Sequence, residues 1–368
     1  MFITYMEIPR TEQTPAQLSF ENILSGNLPT TPICSKTNPR TISIPNDKIT
    51  DETNIAIAGK LCTFYRLTAA TITAYRNIEM STLYHHFTIP KASGGERPID
   101  APNDYLKNDL TKIRLALSSM GILAHTSAYA YVPRRCAKDA VERHQKTEHK
   151  YYLKLDLHNF FGSCTEQFIK DQLTQIAYFT QMSPEFLNDF LHMAMLNGSL
   201  PQGSPLSPWL TNQIMLPFDF KMANWCSKQH ITYTRYADDM LFSANFDIRN
   251  TVQTKVAELL EGTPLTLNTE KTHQTTINGR NWNLGIMTNK DNHMTVGYKK
   301  KEIMRARLTE FCKEKDDWNN QQAQELLGNL TYLSSIEPEY FRNLLTKYGN
   351  KFNVDIHGEL IRIIKTQQ

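Results

Sequence analysis

Two adjacent carboxylates, Asp238 and Asp239, sit between short apolar, β-prone runs at residues 231–233 and 240–244. The pattern reads as a β-hairpin with both acids at its tip. Successive strand side chains leave opposite faces, and like charges repel, so a fold gains little by placing such a pair there. Tight hairpin tips usually carry Gly or Asn, whereas Tyr236-Ala237 precede these acids. A hard divalent cation supplies the missing reason, because Mg²⁺ takes carboxylate oxygens. Upstream, residues 151–157 read as a strand with Asp156 near its end. A helix then starts at Thr165, with Phe168, Ile169, Leu173 and Ile176 at helical spacing. Taken singly, an Asp-Asp pair is ordinarily a solvated turn, and a lone Asp at a strand end is a cap. Together, three carboxylates from two strands suit two Mg²⁺ ions about 3.5–4 Å apart and in-line phosphoryl transfer.

Three segments carry a wider resemblance. Leu155-Asp156-Leu157-His158-Asn159-Phe160-Phe161, Leu200-Pro201-Gln202-Gly203-Ser204-Pro205-Leu206-Ser207-Pro208 and Tyr236-Ala237-Asp238-Asp239 occur in that order. They resemble motifs A, B and C of reverse transcriptases, specifically those of the bacterial retron-like and defence-associated lineage. Residues 89–102, with Lys91 and Arg97 flanking Ser93-Gly94-Gly95, resemble the fingers motif. Residues 267–272 resemble motif D, Asn283-Leu284-Gly285-Ile286 the motif E turn, and Gly328-Asn329-Leu330 with Pro338-Glu339 the thumb. Two segments depart from the retron pattern. Where retron enzymes have Asn-Ala-x-x-His, this chain has Asp139-Ala140-Val141-Glu142-Arg143-His144, with an Ala and a His but no Asn, and with one residue more between Ala and His. Where they have Val-Thr-Gly, it has Asn283-Leu284-Gly285.

The resemblance implies an RNA-directed DNA polymerase of α+β class: a right hand of fingers, palm (an antiparallel sheet plus helices) and helical thumb. It implies two Mg²⁺ ions, with Mn²⁺ able to substitute. Asp156, Asp238 and Asp239 would be catalytic metal ligands, joined by the backbone carbonyl of Leu157. Lys91, Arg97, Phe161, Gln202 and Lys271 would meet the nucleotide. Arg binds phosphate as a fork and Lys as a point charge. A bulky ring at Phe161 would leave a ribose 2′-OH without room or partner, which is costly, and so select deoxynucleotides. Phe160 is the expected core residue of that pair. Lys271 resembles a lysine proposed to protonate pyrophosphate, a role that needs a lowered pKa. Leu284 and Gly285 would grip the primer, and Arg134, Arg135, Lys299, Lys300 and Arg305 would contact nucleic acid. The implied partners are a noncoding RNA template, its DNA product and deoxynucleoside triphosphates, with a defence partner protein or a second copy of the chain as further candidates, in antiphage defence.

These groups must be positioned by lobes. Residues 1–60 are Thr-, Pro- and Asn-rich with weak periodicity, and read as an extension. Residues 61–290 make fingers and palm, with fingers mainly 61–150 plus part of 165–200, and palm mainly 151–164 and 201–290. Residues 291–368 make the thumb, with helices expected at 299–315, 320–335 and 338–349. Asn103 or Asp104 is positioned to cap a helix through Leu106, Leu110, Ile113, Leu117 and Met120. Ser183-Pro184 starts another, and a long helix runs through Leu206, Leu210 and Ile214. His85-His86 read as polar surface before the fingers strand.

Composition narrows the class. The chain has 368 residues, 40% of them hydrophobic, enough for a core, and a formal charge of +3. Bulk charge therefore argues weakly for nucleic acid, and local clustering argues better: Lys299–Lys301, Arg305, Arg307, Lys313 and Lys315 fall in one helix, although Glu302, Glu310 and Glu314 interleave. No window of about 20 apolar residues suggests a membrane span, and no secretory pattern opens the chain. Six scattered Cys show no zinc spacing. The expectation is a cytoplasmic protein with free thiols and no membrane partner. Two rival readings share the fold: a template-independent or protein-primed DNA polymerase, and a nucleic-acid-binding scaffold with a vestigial site.

Overall fold

In a computed structural model of the chain, the structure describes residues 51–91, 94–146, 148–279 and 281–366. The expected extension lies outside them up to residue 50. In chain order the elements are α1 (Asp51–Ala74), β1 (Tyr84–Pro90), β2 (Glu96–Pro102), α2 (Asp104–Ser119), α3 (Ala137–Glu142), β3 (Tyr151–Asp156), α4 (Phe160–Ser163), α5 (Glu166–Leu173), α6 (Ala177–Thr180), α7 (Pro184–Ala194), α8 (Ser207–Ile214) and α9 (Leu216–Lys228). They continue with β4 (Thr232–Tyr236), β5 (Asp239–Ala244), α10 (Arg249–Leu260), β6 (His273–Thr276), β7 (Asn281–Asn283), β8 (Ile286–Thr288), β9 (Met294–Thr295), α11 (Tyr298–Glu314), α12 (Asn320–Ile336), α13 (Pro338–Phe352) and α14 (Ile356–Thr366). The α+β class is the expected one. The chain forms two compact units. The first takes the described residues up to Val132 with Leu157–Trp225 and Lys255–Leu267. The second takes Pro133–Asp156, Cys226–Thr254 and the chain from Asn268 onward.

The first unit is mainly helical, and its helix starts follow from local sequence. The Asn103 side chain accepts from Leu106 N–H at 3.0 Å, and Leu106, Leu110, Ile113 and Leu117 form the buried stripe of α2. Thr165 caps α5, and Ser183 caps α7 with Pro184 in the first turn. Such caps satisfy otherwise unpaired N–H groups at helix starts. The helix expected to run on from Leu206 is instead short. It ends at Ile214 and a second begins at Leu216, because Pro217 has no N–H to continue the ladder and restricts the residue before it. β1 and β2 form an antiparallel ribbon of their own. His85 and His86 lie within β1 rather than before it, exposed, with His86 Nδ1 2.6 Å from Asp100 Oδ1. Their alternation onto a solvated ribbon hid the strand.

The second unit is organised on a four-stranded antiparallel sheet in the order β4-β5-β3-β6. Its register sets Asp156 opposite Asp239, Lys154 opposite Leu241 and Tyr152 opposite Ser243, with Tyr236 across from Asp239 on the other side. By the two-residue period, Asp156, Lys154, Asp239, Leu241, Ser243 and Thr234 share one face. Tyr233, Arg235, Met240 and Phe242 share the other, where the Tyr233 and Phe242 rings stack at 5.0 Å. Leu241 joins a core with Val141, Ile286, Val296 and apolar residues of α11–α14. The helices expected at 299–315, 320–335 and 338–349 begin and end close to those limits, and α14 follows them as a helix the periodicity did not suggest.

Candidate active site

The three carboxylates lie at one end of that sheet, on the last residue of β3 and at the β4–β5 turn. Asp156 is the last residue of β3 and is 4% exposed. Asp239 is the first residue of β5 and not part of the tip. The connecting loop is Ala237-Asp238 alone. This corrects the picture of two acids at the tip, and it explains how neighbours can serve one site: a turn residue is not bound by the strand alternation that sends Asp238 and Asp239 to opposite faces. Ala237 takes φ 58, the left-handed region that hairpin loops ordinarily fill with Gly or Asn. Burial, opposed by Lys154, raises the Asp239 carboxyl to about 6, and the neighbouring acids add to the rise. Burial also raises Asp238, with Asp156 contributing.

Two lysines answer this negative charge. Lys271 donates to both oxygens of Asp156, at 2.9 and 3.2 Å. It stands on the short helical turn Thr269–Lys271, which is tied to the end of β3 by Asn268 N–H donating to Asp156 O at 2.8 Å. Its hydrogen bond to Asp156 raises its pKa, the opposite of what an acid poised for proton donation needs. Lys154 Nζ lies 2.9 Å from Asp239 Oδ1. That oxygen is buried without a well-aligned hydrogen bond, so the lysine meets it as a point charge. Among the described residues no three His, Cys, Asp or Glu side chains are gathered as they stand to ligate one ion; lysines hold two of the three acids. The all-carboxylate donor set, with a buried oxygen lacking an aligned donor, nonetheless fits a hard divalent cation.

Two neighbours of this site were given no role in it by the sequence, although His144 lies in the Asp139–His144 segment compared with the retron pattern. Arg235 is wholly buried and donates from Nη1 to Ala237 O at 3.0 Å; its signal was a lone cation between the apolar run 231–233 and the paired acids. His144 is buried between Ser243 Oγ, 2.7 Å from Nδ1, and Thr234 Oγ1, 2.8 Å from Nε2. Both hydroxyls lie on the face that carries Asp239.

The remaining expected residues fall into separate groups. In the first unit, Lys91 sits at the ribbon turn, where its N–H donates to Gly95 O at 2.9 Å. Arg97 is paired opposite Ile89, and the Lys91 and Arg97 side chains are exposed. Gln202 O accepts from Asp100 N–H at 2.9 Å, joining the motif B loop to β2. Leu157 is buried and bridges Leu267. Phe160 is buried and Phe161 half-buried, their rings edge to face at 5.7 Å. In the second unit, Leu284 (φ 53) and Gly285 (φ 79) form the turn between β7 and β8. Gly285 O accepts from Lys300 Nζ at 3.1 Å and Tyr332 OH at 3.3 Å, so two separately expected residues meet. Arg305 lies over the Tyr298 ring at 5.5 Å. Lys299 and Arg134 are exposed and Arg135 is half-buried. Of the helix's other cations, Lys301 pairs with Glu337 and Arg307 with Glu310 and Glu325.

Residues 89–324 match the family model described as reverse transcriptase (RNA-dependent DNA polymerase). The chain belongs to the reverse transcriptase family. It is a retron-like reverse transcriptase, an RNA-directed DNA polymerase. It is 28% identical over 279 residues to the retron Ec83 reverse transcriptase of Escherichia coli, covering 73% of this chain and 88% of that protein. It is also 28% identical over 277 residues to the retron Mx65 reverse transcriptase of Myxococcus xanthus, 71% of this chain and 63% of that one. Among solved structures it is similar to apo telomerase from Candida tropicalis, at 14% identity and a TM-score of 0.46 over 83% of this chain and 63% of that one. The chain thus spans less than two thirds of the last two proteins. Reverse transcriptases as a family use divalent metal ions. Among the described residues no helix is long and apolar enough to cross a membrane.

Proposed function

We propose that this reverse transcriptase extends a primer 3′ end with deoxynucleotides at a two-metal site formed by Asp156, Asp238 and Asp239, with Mg²⁺ as the working ion. The observation that carries the reading is the register of β3 on β5, which sets Asp156 opposite Asp239 beside the Asp238 turn. Bound there, two divalent ions would activate the attacking hydroxyl and stabilise the leaving pyrophosphate. The chain's own residues do the rest. The three acids hold negative charge in a buried end of the sheet. Lys271, whose side chain is 59% exposed, can exchange Asp156 for a phosphate oxygen. Lys91 and Arg97 offer exposed cations to the triphosphate, Gln202 binds the nucleotide, and the Phe161 ring excludes a 2′-OH. The Leu284-Gly285 turn, tethered by Lys300 and Tyr332, holds the primer. Arg134, Arg135, Lys299 and Arg305 meet phosphates. Fingers at mainly 61–150 with part of 165–200, palm at mainly 151–164 and 201–290, and thumb at 291–368 are part of the same proposal.

The template is proposed to be a dedicated noncoding RNA and the biological role antiphage defence in the cytoplasm. The test uses purified full-length protein. A primed RNA template should support DNA synthesis that stops where a complementary dNTP is omitted, and an Asp238→Ala/Asp239→Ala double variant should lose it. Indifference to omission would indicate template-independent synthesis. An unchanged defence phenotype and unchanged RNA binding in the double variant would indicate a scaffold. Sequencing copurified nucleic acid would identify the template.

A further inference from the structure

We propose that Lys154 is the resident counter-ion of the carboxylate site: it holds Asp239 in the metal-free enzyme and must yield that oxygen to a divalent cation, and so it weakens the binding of bare metal. This rests on the two-metal reading above.

Position carries the inference. Lys154 precedes Asp156 by two residues on β3, so both side chains rise from the same face. Its neighbour across the ladder is Leu241, two residues beyond Asp239 on the same face of β5, and its Nζ reaches Asp239 Oδ1 at 2.9 Å. β3 lies between β5 and β6, and the Lys154 side chain is only 28% exposed. Its stem is fixed by the sheet. Lys271, on a short turn and 59% exposed, can swing away. The two lysines therefore differ: one can be traded for substrate phosphate, and the other stays.

Charge gives the consequence. Asp156, Asp238 and Asp239 face Lys154 and Lys271 across this end of the sheet. Without Lys154 the same acids would keep Lys271 on this face of the sheet, Arg235 lying on the other. They sit in a poorly solvated setting where like charges repel strongly. An ammonium supplies a single charge and three donors, enough to hold one carboxylate oxygen but not to gather three acids, in keeping with their present ungathered arrangement. A divalent ion supplies more attraction but must first displace it. The free enzyme would then take metal weakly, and the ion would load together with the triphosphate, whose oxygens add ligands.

The experiment compares full-length wild type with Lys154→Met, Lys154→Gln and Lys154→Arg. Thermal midpoints are read in EDTA and in Mn²⁺, and Mn²⁺ binding is followed by the electron paramagnetic resonance of the free ion, without nucleotide. Both neutral variants should melt several degrees lower in EDTA, gain more from Mn²⁺, and bind it on the order of tenfold more tightly; Lys154→Arg should resemble wild type. Lys154→Gln carries the measurement if the Met variant does not fold. Unchanged or weaker Mn²⁺ binding in the neutral variants overturns the proposal, and a lowered EDTA midpoint with unchanged binding does so too, leaving Lys154 a structural role only. An Asp239→Asn control separates the two levels: if it binds Mn²⁺ as wild type does, the two-metal reading itself fails.

Discussion

Arg235 Nη1 donates to the carbonyl oxygen of Ala237 at 3.0 Å, from a side chain with no solvent exposure. The bond ties the strand on one side of the hairpin to the turn that carries Asp238. A buried carbonyl left without its donor costs about 1–3 kcal/mol, so Arg235→Met should destabilise the protein by that order in urea unfolding. It should also lower kcat more than it raises KM, because the turn that aims Asp238 loses its anchor. Arg235→Lys keeps the charge without the planar fork and should fall between. Wild-type kcat in the Met variant would detach Arg235 from the site.

Ala237 itself is under strain at φ 58. A left-handed alanine is less favourable than a left-handed glycine, partly offset by the greater freedom glycine has when unfolded, so Ala237→Gly should stabilise by about 0.5–1 kcal/mol. Differential scanning calorimetry should show the higher midpoint. Turnover should not rise with it, since a looser turn aims Asp238 less well.

His144 makes stability depend on pH. Burial, helped by nearby His149, Arg143 and Lys146, lowers its pKa from 6.5 to about 3. Between those values the unfolded chain holds a proton that the folded chain lacks. Stability is therefore fully present above 6.5 and falls as pH drops through the window. At pH 5.5 the loss is about 1.4 kcal/mol relative to neutral pH. His149, also lowered by burial, acts in the same direction. His144→Gln keeps a donor and an acceptor for Ser243 and Thr234 but does not titrate. Urea unfolding at pH 7.5 and 5.5 should show a smaller acid loss in the variant, and an equal loss would assign the effect elsewhere.

Chemistry and local structure were legible in the residues; their partners across the sheet were not. Asp156, Asp238 and Asp239 stood out because carboxylates in β runs need a reason, and Asn103, Thr165 and Ser183 because caps act within three residues. Lys154 and Arg235 did not stand out. A lone cation in a strand has the same local sequence whether it faces solvent or an acid, and only the register of β3 on β5 decides. The same register moved Asp239 from the tip into β5. Pro217 was visible, yet the apolar spacing across Leu206, Leu210 and Ile214 masked the helix break it causes.

Gly203 has φ 142, and a Cβ there would fall 2.5 Å from Asp100 O. The motif B loop approaches β2 so closely that any side chain must push it away, breaking the bond from Asp100 N–H to Gln202 O. Gly203→Ala should cost about 1–3 kcal/mol. It should also raise the KM for dNTP, because Gln202 and the ribbon bearing Arg97 separate. A variant with wild-type KM would show that this docking does not set nucleotide affinity.

Phe160 and Phe161 are adjacent on one helical turn yet differently placed: Phe160 is buried, and Phe161 rests on its edge, half-exposed. Phe160 therefore fixes where the Phe161 ring stands, and the two should separate by assay. Phe161→Ala should leave stability nearly unchanged while raising the kcat/KM for ribonucleotides relative to deoxynucleotides by about tenfold or more, since the excluded hydroxyl gains room. Phe160→Ala should cost about 3–5 kcal/mol of stability by opening a core cavity, and it should relax sugar selection only as far as it lets the neighbouring ring shift. Single-nucleotide incorporation with matched rNTP and dNTP measures the first effect and urea unfolding the second. Unaltered sugar selection in Phe161→Ala would mean that this ring does not face the ribose.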